Sequence, residues 1–269
     1  MRLRHCFFYL AIVAGAARLW AHPEVAAAII DLTGQIAAHP SEPGLFLRRA
    51  ECFQEHGDLA LAEADLRQAT MLAPGSLDVS LRLIDFLIAD RRPGEAQQAI
   101  APVLARNPEN ATALILRARL LGQLAQNERA YADYSRAISL LPEPRPELYL
   151  ERAALPANPS HVLAGLNEGL ARLGPVVALL DRAIALDLKL GRLDSALARL
   201  DILIASSERK ESILKRRGDL LATSGRTAEA RAAYQSALVE IQRLPGWLRD
   251  SADCSHLSSE LKRLLKLNS

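Results

Sequence analysis

The sequence predicts an all-α chain of about five to six stacked helical hairpins, with an N-terminal half-repeat and a C-terminal capping helix. Composition gives the class. Half the residues are apolar but only 4% are aromatic, so Ala and Leu, both strong helix formers, dominate. The β-branched and aromatic runs that favour strands are scarce. A period gives the architecture. Pro40, Pro74, Pro108 and Pro142 are 34 residues apart, and Ala28, Ala62, Ala96 and Ala130 keep the same spacing, each 12 residues before its proline. Self-similarity at this period marks one helix–turn–helix unit per repeat.

The elements follow in order. Residues 1–21 read as an export signal. Two arginines lie in Met1–His5, Cys6–Ala17 is apolar, and Leu19-Trp20-Ala21 offers a small residue at a cut after Ala21. The apolar run is too short for a membrane-spanning helix, which needs about 20 such residues, so no stable span is expected after cleavage. The competing reading keeps the segment as an uncleaved anchor. Residues 22–42 carry Ala28 and Pro40 in the phase of a second helix with no first helix before it, which makes them a capping half-repeat.

Residues 43–144 hold three repeats. The first has Phe46, Ala50 and Phe53 on its first helix, a Gly57-Asp58 turn, and Ala62, Leu66, Ala69 and Leu72 on its second. Proline after the second helix fixes φ and lacks an N–H, so it stops that helix. Residues 145–176 form a degenerate fourth repeat, because Pro156 and Pro159 cut its first helix short. A loop deletion without consequence is favoured over a kink that splits the array into two blocks. Residues 177–246 resume the period: Gly191 and Gly225 fall at the Gly57 turn, and Ala196 and Ala230 at the Ala62 position. Residues 247–269 are expected to form a capping helix from Ser251 to Leu267, with Leu257, Leu261, Leu264 and Leu265 as its apolar stripe. Its Lys262, Arg263 and Lys266 also allow a reading as a membrane-surface or partner-binding helix.

On these residues the chain resembles the tetratricopeptide repeat family over most of its length. The motif positions are the small residues Ala50, Ala118 and Gly218, the alanines at 62, 96, 130, 196 and 230, and the prolines at 74, 108 and 142. Two departures stand out. The first-helix aromatic occurs once, as Phe46, with Leu or Ser in other copies, and Ile84 replaces a small residue in the second copy. The resemblance implies a right-handed superhelix whose first helices line a concave groove that holds a protein or peptide partner. The groove positions then fall on Leu47, Arg48, Glu51, Glu55, Leu81, Arg82, Asp85, Ile115 and Arg119. In the later copies they fall on Asp181, Arg182, Lys189, Lys215, Arg216 and Asp219. No Asn stands among them, so the paired Lys and Asn with which some members hold a peptide carboxylate are absent.

Charge and motifs exclude several classes. Net charge is +2, and the first 21 residues hold three arginines and no acid, so the remainder carries −1. Such a chain lacks the basic surface of a nucleic-acid binder. There is no Cys-x-x-Cys, phosphate-binding glycine loop or nucleophile elbow, and no two histidines sit four apart on one helix. No enzyme, cofactor or metal site is therefore expected. One alternative is kept. Cleavage after Ala21 leaves His22 as the N-terminal residue, where its amine and ring could serve a metal-handling or enzyme-accessory role beside His39 or His56. Asn110-Ala111-Thr112 matches a glycosylation acceptor in letters only. Cys52 and Cys254 are expected as buried free thiols.

Arginines recur at 49, 117, 152 and 217, and in two copies an Asp follows 16 residues on, at Asp65 and Asp133. The expectation is an exposed ion pair across each hairpin, worth at most about 1 kcal/mol. In the C-terminal copies Arg209, Lys210, Lys215 and Arg216 make the groove locally basic, which suggests docking of an acidic or extended segment of an envelope protein.

Overall fold

The protein is described as a computed structural model over residues 23–267, all of its regular structure helical. The expected signal segment, its cleavage point and His22 lie outside the described residues. Contacts divide the chain into two compact units at Leu141–Pro142.

The first unit holds α1 (Pro23–Ala38), α2 (Pro43–His56), α3 (Leu59–Leu72), α4 (Leu77–Ala89), α5 (Pro93–Arg106), α6 (Ala111–Gln123) and α7 (Asn127–Leu140). The pairs α2–α3, α4–α5 and α6–α7 are hairpins. Each first helix also touches the next first helix, α2 with α4 and α4 with α6. Packing of an element on its neighbour and on its next-but-one neighbour is what stacked hairpins require. The helix α1 packs on α2 in the place of a missing second helix, which is the capping position.

Small residues set the close approach. Ala50, Ala62, Ala96, Ala118 and Ala130 are at most 1% exposed. Larger side chains fill the space towards the next hairpin: Leu66, Ile100 and Tyr134 occupy one position in three successive copies and are all buried. Ile84 and Ile184, which stand at the Ala50 position in the second and fifth copies, are fully buried too. Ser76 and Asn110 cap α4 and α6 through their side chains, Asn110 Oδ1 accepting from the Ala113 N–H at 2.8 Å. The Asn of the three-letter glycosylation match is thus a helix cap.

The turn inside each hairpin needs a left-handed residue. Gly57, Gly191 and Gly225 supply it with φ of 87°, 72° and 79°. In the second and third copies Arg91 and Ala125 take the same conformation at 58° and 56°, against the steric preference of an L-residue.

The second unit holds α8 (Pro146–Ala154), α9 (Pro159–Leu173), α10 (Val177–Lys189), α11 (Leu193–Ser206), α12 (Glu211–Thr223), α13 (Thr227–Arg243), the single turn α14 (Gly246–Arg249) and α15 (Ala252–Leu267). The helix α8 has nine residues where the other first helices have 13 or 14. It still packs on α9 and on α10, but the expected loop deletion is absent: residues 155–158 link α8 to α9, a longer link than the two or three residues of the other hairpins, and it is the helix that is short. Tyr149 of α8 stands at the Phe46 position and is 1% exposed. The first-helix aromatic therefore occurs twice. One extra residue between Pro142 and α8 hid this by shifting the fourth copy by one residue against the 34-residue frame. Tyr149 lies against Gly169, where a Cβ would meet its ring at 2.9 Å. The helix α15 packs on α13 and buries Cys254 and Leu261. Leu257, Leu264 and Leu265 lie against the same core, so the apolar stripe is spent on capping. Cys254 is a buried free thiol as expected; Cys52 is free but only half-buried.

Candidate interaction surface on the first helices

The positions implied by the resemblance fall on α2, α4, α6, α10 and α12. The helical period divides them into a layer turned into the core and a layer turned outward. Leu47 is buried, and Leu81 and Ile115 are half-buried against the core of the first unit. These three hold the helices together more than they offer a surface. The outward layer is charged: Arg48, Glu55, Arg82 and Asp85 are exposed, Glu51 and Arg119 half-buried.

The charges are matched from one first helix to the next. Arg82 of α4 bonds Glu51 of α2, and it lies 3.9 Å from Asp78 one turn back on its own helix. Arg119 of α6 lies 3.7 Å from Asp85 of α4. In the second unit Arg216 of α12 bonds Asp181 of α10. Lys215 bonds Asp219 at 3.0 Å and Glu260 of α15 at 3.1 Å. Burial works against the Lys215 ammonium, yet these carboxylates outweigh it and hold its pKa above the ordinary lysine value. Arg209 bonds Glu211. Three of the four cations behind the expected basic patch therefore carry a carboxylate partner, and the surface is an alternation of signs. The residue spacing did not show the cross-hairpin pairs because Glu51 and Arg82, Asp85 and Arg119, and Asp181 and Arg216 stand 31 to 35 residues apart in different hairpins. Arg182 donates to the Ala153 carbonyl at 3.2 Å, at the end of α8. Lys189 is exposed.

Beside this surface, burial together with the Glu55 and Glu51 carboxylates pushes the Cys52 thiol up, away from the reactive thiolate range. Among the described residues, no three His, Cys, Asp or Glu side chains gather as metal ligands would. None of the described helices is long and apolar enough to cross a membrane.

The pairs inside the hairpins correct a second expectation. Arg49 donates Nε and Nη2 to the two Asp65 carboxylate oxygens, both at 2.7 Å, and Arg117 does the same to Asp133 at 2.6 and 2.7 Å. Asp65 and Asp133 are only 5% and 8% exposed. The acids are buried while Arg49 and Arg117 keep 18% and 36% side-chain exposure, so these are part-buried bidentate pairs, stronger than solvated ones. Arg152 repeats the pattern with Glu168 at 2.8 Å. The next copy has Ala183 at the Arg49 position and Arg199 at the Asp65 position, and Arg199 bonds the buried Asp187 at 2.6 Å. In the last copy Ala233 leaves no acid at the Asp65 position, and Arg217 turns to Asp201 of the preceding hairpin at 2.9 Å. In the second copy both positions are apolar, Leu83 and Ala99. These arginines are scaffold.

Known proteins place this geometry. Residues 53–120 match the family model described as tetratricopeptide repeat, and residues 175–246 match that described as tetratricopeptide repeat-like domain, together just over half of the chain. The chain is similar to the C-terminal part of a TPR repeat-containing protein from Cytophaga hutchinsonii, with a TM-score of 0.62 and 15% identity, over 86% of this chain and 96% of that one. A tetratricopeptide repeat protein from Parabacteroides merdae is similar with a TM-score of 0.54 and 16% identity, over 97% and 98%. At such identities the likeness is one of fold. The uncharacterized protein y4yS of Sinorhizobium fredii is 35% identical over 81 residues, 30% of this chain and 44% of that protein, so the chain spans less than half the length of that relative. With the hairpins, the small-residue crossings and the 34-residue register all in place, the chain belongs to the tetratricopeptide repeat proteins.

Proposed function

We propose that this protein is an exported, non-enzymatic scaffold that binds an extended segment of another protein along its first helices. The observation that carries the reading is the ladder of cross-hairpin pairs, Glu51–Arg82, Asp85–Arg119 and Asp181–Arg216. It lays donors and acceptors of both signs along successive first helices, over a layer of side chains already committed to packing. A surface of that kind recognises a partner by shape and by hydrogen bonds rather than by one dominant charge. The partner is therefore an extended segment of mixed or low charge, in place of the strongly acidic one suggested by Lys215 and Arg216 alone. Export rests on the basic, apolar and small-residue pattern of residues 1–21.

A photoreactive amino acid placed at Arg48, Arg82 or Arg182 on the first helices, and at Arg67 or Arg231 on the second helices, tests the reading in the native host. Capture of one partner from the first-helix positions supports it. Capture from the second-helix positions alone contradicts it. Export is tested separately by the mass of the mature chain: a cut after Ala21 gives His22 as the N-terminal residue, and an intact N-terminus in the cytoplasm refutes it.

A further inference from the structure

The seams between successive second helices repeat with the hairpins, so their residues compare position by position. Between α3 and α5 the seam is closed by an ion network. Arg67 bonds Glu63 at 2.7 Å and reaches Glu95 at 3.2 Å, while Arg92 bonds Glu63 at 2.8 Å and Glu95 at 2.7 Å. Between α11 and α13 the same two turn positions carry Arg226 and Glu229, joined to each other at 2.6 Å and to Asp194 at 2.7 Å.

Between α5 and α7 the residues in the register of Glu63, Arg67, Arg92 and Glu95 are Gln97, Ala101, Gln126 and Arg129. Both acids of the first seam are gone, and a glutamate position has become an arginine. Further along α5, Ala105 stands where α3 has Met71. The seam consequently opens into a cleft of about 420 Å³ with walls from Ile100, Ala101, Leu104, Leu120, Leu121 and Leu124. Gln97, Arg117 and Arg129 stand around it. Arg117 is already committed to Asp133. The Arg129 guanidinium meets the neutral Gln126 amide oxygen, and among the described residues no carboxylate pairs with it beside the apolar chamber.

We infer that the α5–α7 cleft is a binding site for a small aliphatic carboxylate, with the chain between Leu104, Leu120 and Leu124 and the carboxylate on Arg129. The volume lies within the ~300–1,000 Å³ of small-molecule sites, and an apolar lining with a few polar groups at one end is their usual make-up. A carboxylate restores the charge balance that Glu63 and Glu95 provide one seam earlier. The site lies on the second helices, so it is separate from the surface proposed for a protein partner.

Titration calorimetry of the full chain with sodium decanoate tests the site. The expected result is saturable binding of one decanoate. Arg129→Gln is expected to weaken it about tenfold, as loss of a charged hydrogen bond does, and decanol is expected to bind more weakly than decanoate. Ala101→Leu fills the cleft and is expected to abolish binding. Ala105→Met, which restores the side chain found at Met71, is a second filling variant should the first lower the thermal midpoint. No saturable heat with decanoate, or binding that survives both Arg129→Gln and a folded filling variant, overturns the assignment. The second unit has a cleft between α9 and α11, lined by Leu170, Ala171, Leu180 and Ile202; retained binding in those variants that is lost on Ala171→Leu points to that cleft and also overturns the assignment.

Discussion

Exchanging the Arg49–Asp65 pair for the apolar pair of the second copy separates the two ways an ion pair enters a fold. Asp65 is 5% exposed and receives both hydrogen bonds from one guanidinium. Arg49 also donates to Thr33 Oγ1 of α1 at 3.0 Å, and its guanidinium sits 5.9 and 5.6 Å from the Phe46 and Phe53 ring centres. Arg49→Leu strands a carboxylate in the core. Breaking a fully buried pair costs about 3–5 kcal/mol. Arg49 retains 18% side-chain exposure, so some water reaches the site and about 2–3 kcal/mol is expected. Asp65→Ala leaves a guanidinium that keeps Thr33 and turns to solvent, for about 1–2 kcal/mol. The double variant reproduces Leu83 and Ala99 of the second copy. It is expected within about 1 kcal/mol of the parent, which requires a coupling of roughly 2 kcal/mol or more between the sites. Urea unfolding followed by circular dichroism at constant pH and salt reads all four proteins. Hydrogen exchange over α2 and α3 shows that the loss is local, since repeat arrays unfold in sections. A double variant as unstable as the sum of the singles would refute the claim that an apolar pair can replace the ion pair at this site.

Three further outcomes follow from single positions. A Cβ at Gly218 would stand 2.3 Å from Tyr234 Cε1, and Tyr234 is tied to Asp219 by its hydroxyl at 3.0 Å. Gly218→Ala should lose about 1–3 kcal/mol through overpacking, and Tyr234→Leu in the same chain, which restores the Ala50–Leu66 combination, should recover most of it in a urea melt. Ala125 holds φ 56° where three other copies have Gly; Ala125→Gly should raise stability by about 1 kcal/mol, read as a higher urea midpoint, and a lower midpoint contradicts the strain. The Glu63 carboxyl is held below the usual range by hydrogen bonds from Arg92 and then Arg67. Its contribution is therefore complete above the unfolded pKa of about 4.3 and disappears as pH falls through the depressed folded value. The stability gap between the parent and Glu63→Gln should be widest near neutral pH and close on acidification. A gap that widens in acid reverses the sign and refutes the pairing.

The fold was legible because its determinants are local and periodic. Ala62, Ala96 and Ala130 announce the crossings, and Pro74 and Pro108 the ends of second helices. The intra-hairpin pairs Arg49–Asp65 and Arg117–Asp133 were legible for the same reason, since both partners belong to one repeat and keep one spacing. Their burial was not, because exposure depends on how the next hairpin covers Asp65. Asp187–Arg199 and Arg217–Asp201 escaped the pattern: in one the arginine stands at the Asp65 position and its acid at the Phe53 position, and in the other the 16-residue step runs backward into the preceding hairpin. Tyr149 was hidden by the one-residue slip of the fourth copy. On the first-helix surface the residue types were readable by position, yet the pairing of Lys215 with Glu260 of α15 brings together segments 45 residues apart. Only the packing of α15 on α13 makes that contact.

The central claim is that the first helices, with their alternating charges, are the surface a partner occupies. Hydrogen–deuterium exchange on the full chain, with and without the captured partner at saturating concentration, tests it most directly. Slowed exchange is expected in α2, α4 and α6, or in α10 and α12, with α3, α5, α7, α11 and α13 unchanged. Protection confined to the second helices, with the first helices exchanging as in the free protein, would contradict it.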